Sequence, residues 1–387
     1  MRPRSLFTAV SRKLSRWDAA AHLVFSQCHD CEPMSIQECS PPRHKSCGAQ
    51  ILIAALLLCL ACSGCVSANT IARRALEAPN QQFKPSRAYR QFSVIATNFP
   101  VQRIEVGPPR AALELMVIEP GDYGARIISG FSKHRSLLTA MRLHYRFKFG
   151  IEFSQYPPRP KPETNPVRGT IFLLHGYAGD KNFMLGWGMA LAQAGYRMVL
   201  VDLRGHGHST GDRIYFGGIE RTDLMQCLSS LAQRRVCQGP VSALGISYGA
   251  VLALQWAAID PRLESVVAIS PYSDPGTAVK AFLKFKAPLM PGWMQRKVAG
   301  IIVSDLAARW PDLSTETAVR GITQPILFVR GERDTLCSEE FLSNLRSAAP
   351  QGSEAMVVPK ANHLDAGLCV NQLEGPVTNW FRRHLTH

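Results

Sequence analysis

Residues 141–387 read as a doubly wound, mostly parallel α/β sheet with a helical cap inserted into it, on two observations. Short runs at 170–174, 197–201, 241–244, 265–269, 325–329 and 354–358 are apolar on both faces, as strands buried between helix layers must be. Between them lie helical stretches such as 184–194, closed by Gly195, and 250–259, closed by Asp260-Pro261. Strand alternating with helix implies a parallel sheet, whose ligands bind beyond the carboxyl ends of the strands.

Composition supports a packed core. Of 387 residues 46% are hydrophobic and 19% charged, which excludes a disordered, collagen-like or polytopic membrane protein. Forty-four basic against 29 acidic residues leave a charge of +15, suited to an anionic neighbour such as lipid headgroups. The Lys and Arg are scattered, with no zinc-finger spacing or RNA-binding signature, so nucleic acid is not an expected partner.

In chain order, residues 1–65 form a leader. Its apolar run 51–62 is shorter than the ~20 residues a membrane span needs but has the length of a signal-peptide core. Arg43, His44 and Lys45 precede it, and Cys62-Ser63-Gly64-Cys65 follows. This tail resembles the bacterial lipobox, with Cys62 where Leu is usual. The resemblance implies lipidation at Cys65 and a membrane anchor on the periplasmic side of the cell envelope, the alternative being a cleaved signal and a soluble exported protein. Met34 offers a second start, from which the signal has ordinary proportions. Cys28-x-x-Cys31 lacks the second pair that a zinc site needs, so no metal is expected.

Residues 66–140, with Pro79, Pro85, Pro100, Pro108 and Pro109, read as a tether and irregular lead-in. From Arg142 to Glu152 polar residues alternate with Leu143, Tyr145, Phe147, Phe149, Ile151 and Phe153, the pattern of a half-exposed strand at a sheet edge. Pro-rich 156–166 is a loop. Glu220 and Asp223 open a helix and favour its dipole. The interval 274–320 breaks the alternation and forms the cap. In it Val279, Phe282, Leu283 and Phe285 interleave with Lys280, Lys284 and Lys286, followed by Met290, Trp293 and Met294: an amphipathic lid, an acyl pocket, or a contact with anionic membrane.

Gly245-Ile246-Ser247-Tyr248-Gly249 follows one buried run and opens a helix, the setting of a nucleophile elbow. Such a turn strains the central residue and leaves no room for side chains at the flanking glycines. With His175-Gly176-Tyr177, the stretch from Asp202 to Ser209 that contains Arg204-Gly205-His206-Gly207-His208, Gly331-Glu332-Arg333-Asp334 and Asn362-His363, the chain from Val167 onward resembles the α/β-hydrolase superfamily. The similarity is to its cap-bearing esterases, lysophospholipases and serine aminopeptidases. The resemblance implies a triad of Ser247, Asp334 and His363, with the N–H groups of Tyr177 and Tyr248 as oxyanion donors and no cofactor. Imidazole titrates near neutrality and can take and return the serine proton, while an acid behind it fixes the tautomer. His175, His206 and His208 compete for the base role on residue type, and Glu332 for the acid.

The activity so implied is hydrolysis of a small-molecule or lipid carboxylic ester through an acyl-enzyme, by a monomer. The alternatives are an aminopeptidase or amidase of the same fold, needing a carboxylate for the substrate ammonium (Asp305, Asp312 or Glu316), and a catalytically silent binding protein. Export implies oxidised thiols. Cys337 and Cys369 flank the acid and the histidine, so a Cys337–Cys369 disulfide is expected; Cys227 and Cys237 are a further possible pair.

Overall fold

The computed structural model describes residues 67–81, 87–135, 143–160, 166–237 and 239–385. Cys65 and the rest of the leader lie outside the described residues. Eight strands build one sheet: β1 (Val101–Val106), β2 (Ala111–Ile118), β5 (Thr170–Leu174), β6 (Arg197–Val201), β7 (Val241–Ile246), β8 (Leu263–Ile269), β9 (Ile326–Gly331) and β10 (Glu354–Val358). Their order is β1-β2-β6-β5-β7-β8-β9-β10. β2 runs antiparallel to both its neighbours, and all other pairs are parallel.

Apolar clusters cover both faces, which is why these strands lack polar alternation. Phe172 and Leu174 of β5 enter one cluster, with Trp256 and Ile302; Ile171 and Leu173 enter the other, with Trp187 and Trp380. The helices of the layers include α3 (Leu185–Gln193), α4 (Glu220–Gln233), α5 (Tyr248–Ala257), α9 (Glu339–Ala348) and α11 (Val370–His384).

The lead-in 66–140 is more ordered than its prolines suggest. It supplies α1 (Ala68–Leu76), α2 (Arg87–Ala96), β1, β2 and β3 (Ala125–Arg135). Pro100 stands just before β1, and Pro108 and Pro109 lie in the turn between β1 and β2, so they punctuate strands rather than prevent them. The alternating segment forms β4 (Leu143–Phe153), paired antiparallel with β3 in a separate two-stranded ribbon rather than at the edge of the large sheet.

Between β8 and β9 the chain leaves the sheet through α6 (Pro275–Lys286), α7 (Gly292–Ala307) and α8 (Thr315–Arg320). Asp274 starts α6 by accepting the Thr277 N–H at 2.9 Å, with Pro275 in the first turn, where a missing N–H costs nothing. The winding reverses at β5, which is followed by β6 on one side and β7 on the other. At such a reversal open α/β sheets hold their ligands beyond the carboxyl ends of the strands, here those of β5 and β7.

Candidate active site

Ser247 sits where β7 turns into α5, with φ 54° and ψ −109°. The flanking glycines are required by contact. A Cβ on Gly245 would lie 2.1 Å from the Gly249 carbonyl oxygen, and one on Gly249 would lie 2.2 Å from that of Leu174. The strain of the turn is held by the Ser247 N–H, which donates to the Ile269 carbonyl at 2.8 Å.

Two further loops converge on this serine. His363 Nε2 stands 2.8 Å from Ser247 Oγ. On the other side of the ring, Nδ1 lies 3.1 and 3.0 Å from the Asp334 oxygens. A carboxylate only accepts, so Nδ1 carries the proton and Nε2 is free to accept from the serine hydroxyl. Asp334 is buried after β9, and its Oδ1 also accepts the N–H groups of Leu336 and Cys337, each at 2.9 Å. Burial opposes its charge. The hydrogen bond and charge of His363, with the Cys337 N–H, outweigh this and hold the carboxyl below the usual carboxylate range.

Glu332, the competing acid, turns away and accepts the Lys360 N–H at 2.7 Å. The competing histidines are structural. His175 Nε2 accepts the Leu203 N–H at 3.1 Å, so its Nδ1, 2.8 Å from the Gly176 carbonyl, must be the donor. Burial pushes His175 down to about 4 and His206 to about 3, so both are neutral near pH 7. His208 donates its own N–H to Asp202 at 2.8 Å. Among the described residues no group of three or more His, Cys, Asp or Glu side chains could hold a metal ion.

Tyr248 is the first residue of α5, where a helix leaves its N–H groups unpaired and its dipole favours an anion. A Cβ on Gly176 would sit 3.7 Å from Ser247 Cβ, in van der Waals contact, which places the Gly176-Tyr177 turn beside Ser247. The Tyr177 ring packs edge-on against Tyr248 and against Phe282 of α6, with centroids 6.3 and 5.0 Å apart, so the cap reaches the mouth of the site through an aromatic contact.

Three supports were not assigned from the sequence. Glu220, read as a helix-dipole residue, is buried and accepts the Tyr215 N–H at 2.6 Å, the Gly217 N–H at 2.8 Å and the Tyr248 hydroxyl at 3.1 Å. Asp223 pairs with buried Arg204 at 2.7 Å. Lys181 bridges Glu114 of β2 and Asp202 at the end of β6, at 2.8 and 2.7 Å. A lysine just before the apolar run 183–192, with an aspartate closing a buried strand, was the available signal for the last.

The expected Cys337–Cys369 disulfide is not present. Both are free thiols, as are Cys227 and Cys237. Contact between Asp334 and His363 brings the two loops together but does not aim the Cβ atoms of Cys337 and Cys369 at each other. Cys369 instead packs in the apolar cluster with Ala366 and Val370, and burial pushes both thiols up to about 12.

Residues 165–318 match the family model described as "Serine aminopeptidase, S33". Among curated proteins, the caffeoylshikimate esterase of Arabidopsis thaliana is 36% identical over 61 residues, 16% of this chain and 18% of that one. An uncharacterized Bacillus subtilis protein, YqkD, is 24% identical over 191 residues, 48% of this chain and 60% of its own length. The chain thus spans less than two thirds of either relative. An esterase of Pyrococcus furiosus shares the fold with a TM-score of 0.52 at 18% identity, over 80% of this chain and 98% of that one. A 2,6-dihydroxy-pseudo-oxynicotine hydrolase does so with a TM-score of 0.51 at 15% identity, over 77% and 72%. Strand order, cap position and these likenesses together show that the chain has the α/β-hydrolase fold.

Proposed function

We propose that the protein hydrolyses carboxylic esters, with Ser247 as nucleophile, His363 as general base and acid, and Asp334 as its orienting carboxylate. The observation that carries this reading is the 2.8 Å contact between Ser247 Oγ and His363 Nε2, with Asp334 behind the ring. Ser247 Oγ adds to the ester carbonyl while its proton passes to Nε2. The oxyanion rests between the N–H groups of Tyr177 and Tyr248. Collapse breaks the bond to the alcohol, which leaves with the proton from Nε2. Water, deprotonated by the same nitrogen, then cleaves the acyl-serine and releases the acid.

The family description favours a second reading, cleavage of an aminoacyl bond. Such a site needs a free carboxylate for the substrate ammonium. Asp305 pairs with Arg213 at 2.5 Å, Glu316 with Arg320 at 2.6 Å, and Asp312 accepts from Ser314 and Thr317. Ester hydrolysis is therefore the reading supported best. The protein is further proposed to be exported and lipidated at Cys65, working as a monomer on small-molecule or lipid esters at the membrane.

A fluorophosphonate probe tests the nucleophile, and parallel panels of acyl esters and aminoacyl anilides test the bond cleaved. Labelling of the intact chain that disappears in Ser247→Ala, with turnover of esters only, is the expected result. Labelling that survives in Ser247→Ala overturns the assignment, and preferential anilide turnover selects the second reading. Mass spectrometry of the mature chain tests Cys65: a diacylated N-terminal cysteine is expected, and an unmodified residue 1 or 34 refutes the anchor.

A further inference from the structure

The outer surface of the cap combines exposed apolar side chains with charge of a single sign. At the turn between α6 and α7, Phe285, Leu289 and Trp293 are 67%, 96% and 58% exposed. Leaving a leucine almost wholly in water serves no purpose in folding, and this one stands between two exposed aromatic residues. Around them Lys280, Lys284, Lys286, Arg296 and Lys297 are all exposed. From residue 275 to residue 304 there are five cations and no carboxylate. The acids that bracket this interval are engaged elsewhere, Asp274 as the cap of α6 and Asp305 with Arg213.

The inner side of the same helices is committed to the body of the protein. Val279 and Leu283 of α6 and Val298 and Ile302 of α7 are buried in the core, and Phe282 meets Tyr177. The apolar tip is therefore the part of these helices that the body of the protein leaves uncovered. α1, the first element of the described chain, buries Ala68, Ala72 and Leu76 in the same cluster as Ile302 and lines a cavity of about 640 Å³ together with Ile301 and Asp305 of α7.

We propose that the α6–α7 tip docks on an anionic phospholipid surface, with Leu289 and Trp293 entering the boundary between headgroups and acyl chains and the five cations lying against lipid phosphates. Lipid is the occupant this chemistry selects. A symmetric pairing of two copies through the tip would set five cations against five. Nucleic acid would satisfy the cations and leave Leu289 in water. An anionic bilayer satisfies both, and tryptophan and snorkelling lysine are the side chains suited to its interface. Docking by the tip does not depend on Ser247 and goes beyond the ester-hydrolase reading.

The test uses the full chain on phosphatidylcholine vesicles with and without 30% phosphatidylglycerol, some carrying brominated acyl chains that quench nearby tryptophan. The fluorescence lost in Trp293→Phe is expected to be quenched by the brominated lipid, more strongly with phosphatidylglycerol, and this difference should shrink at 0.5 M salt. Lys284→Glu with Lys286→Glu should abolish the dependence on anionic lipid, and Leu289→Asp should remove the quenching at unchanged melting temperature. Ser247→Ala should dock as the wild type does, which separates this proposal from the catalytic one. No quenching of the Trp293 signal, equal quenching on both vesicles, or a concentration-dependent dimer that Leu289→Asp dissolves would each overturn it.

Discussion

The Tyr248 hydroxyl donates to Glu220 Oε1 at 3.1 Å, so the residue that follows Ser247 is tied to the first turn of α4. Burial raises the Glu220 carboxyl above the usual carboxylate range, and the Tyr215 N–H acts against that rise. Tyr248→Phe keeps the ring and deletes one hydrogen bond to this carboxylate. A loss of about 1–3 kcal/mol in urea denaturation is expected, with a fall in kcat and little change in KM. Unchanged stability and kcat would show that the contact is idle.

Asp334→Asn should lower kcat by a factor on the order of 10⁴, because an amide can hold His363 in the wrong tautomer. The folded carboxyl lies below its unfolded value, so its contribution to stability is present above about pH 4 and is lost as pH falls through the folded value. Acid titration of the two proteins should therefore show a steeper loss in the wild type than in the variant.

Lys181→Met should cost about 3–5 kcal/mol, since it strands the fully buried Asp202 without its cation. Lys181 is also the link between Glu114 and Asp202, so the loss should be accompanied by faster hydrogen exchange in β2. A change under 1 kcal/mol in chemical denaturation would refute this account.

Burial and the neighbouring Asp202 charge push Asp180 up to about 7. A carboxyl raised in the folded state favours folding below its unfolded value near 4, and that advantage is lost as pH rises toward about 7. Asp180→Asn retains an acceptor for the Asn182 N–H, now 2.8 Å away, and removes the titration. Between pH 5 and pH 8 the wild type should lose melting temperature relative to this variant. Parallel curves would rule the titration out.

The parts of the fold that could be read in the sequence are those where one physical constraint acts alone. β5 and β6 have the bounds expected of them, because strands buried on two faces must be apolar throughout, whereas β10 has its expected bounds although it lies half-buried at the sheet edge. The elbow was legible because backbone contact at Gly245 and Gly249 excludes every other residue. β1 was not, since Arg103 and Glu105 on its open side and the prolines at its ends imitate a loop. The missing disulfide marks the limit from the other direction: spacing brings Asp334 and His363 together but says nothing about where Cys369 points. Glu220 escaped because its partner is a hydroxyl 28 residues away in the chain.

The strand order also sets a timetable. Synthesis completes β5, at the middle of the sheet, early, while His363 emerges 116 residues after Ser247. With the triad proposed above, a chain still being made carries its serine and its cap before the imidazole arrives, and should be inert toward the acyl groups around it. On that proposal the last strand and its following turn release the chemistry, and a product truncated before Asn362 should lack the activity of the whole.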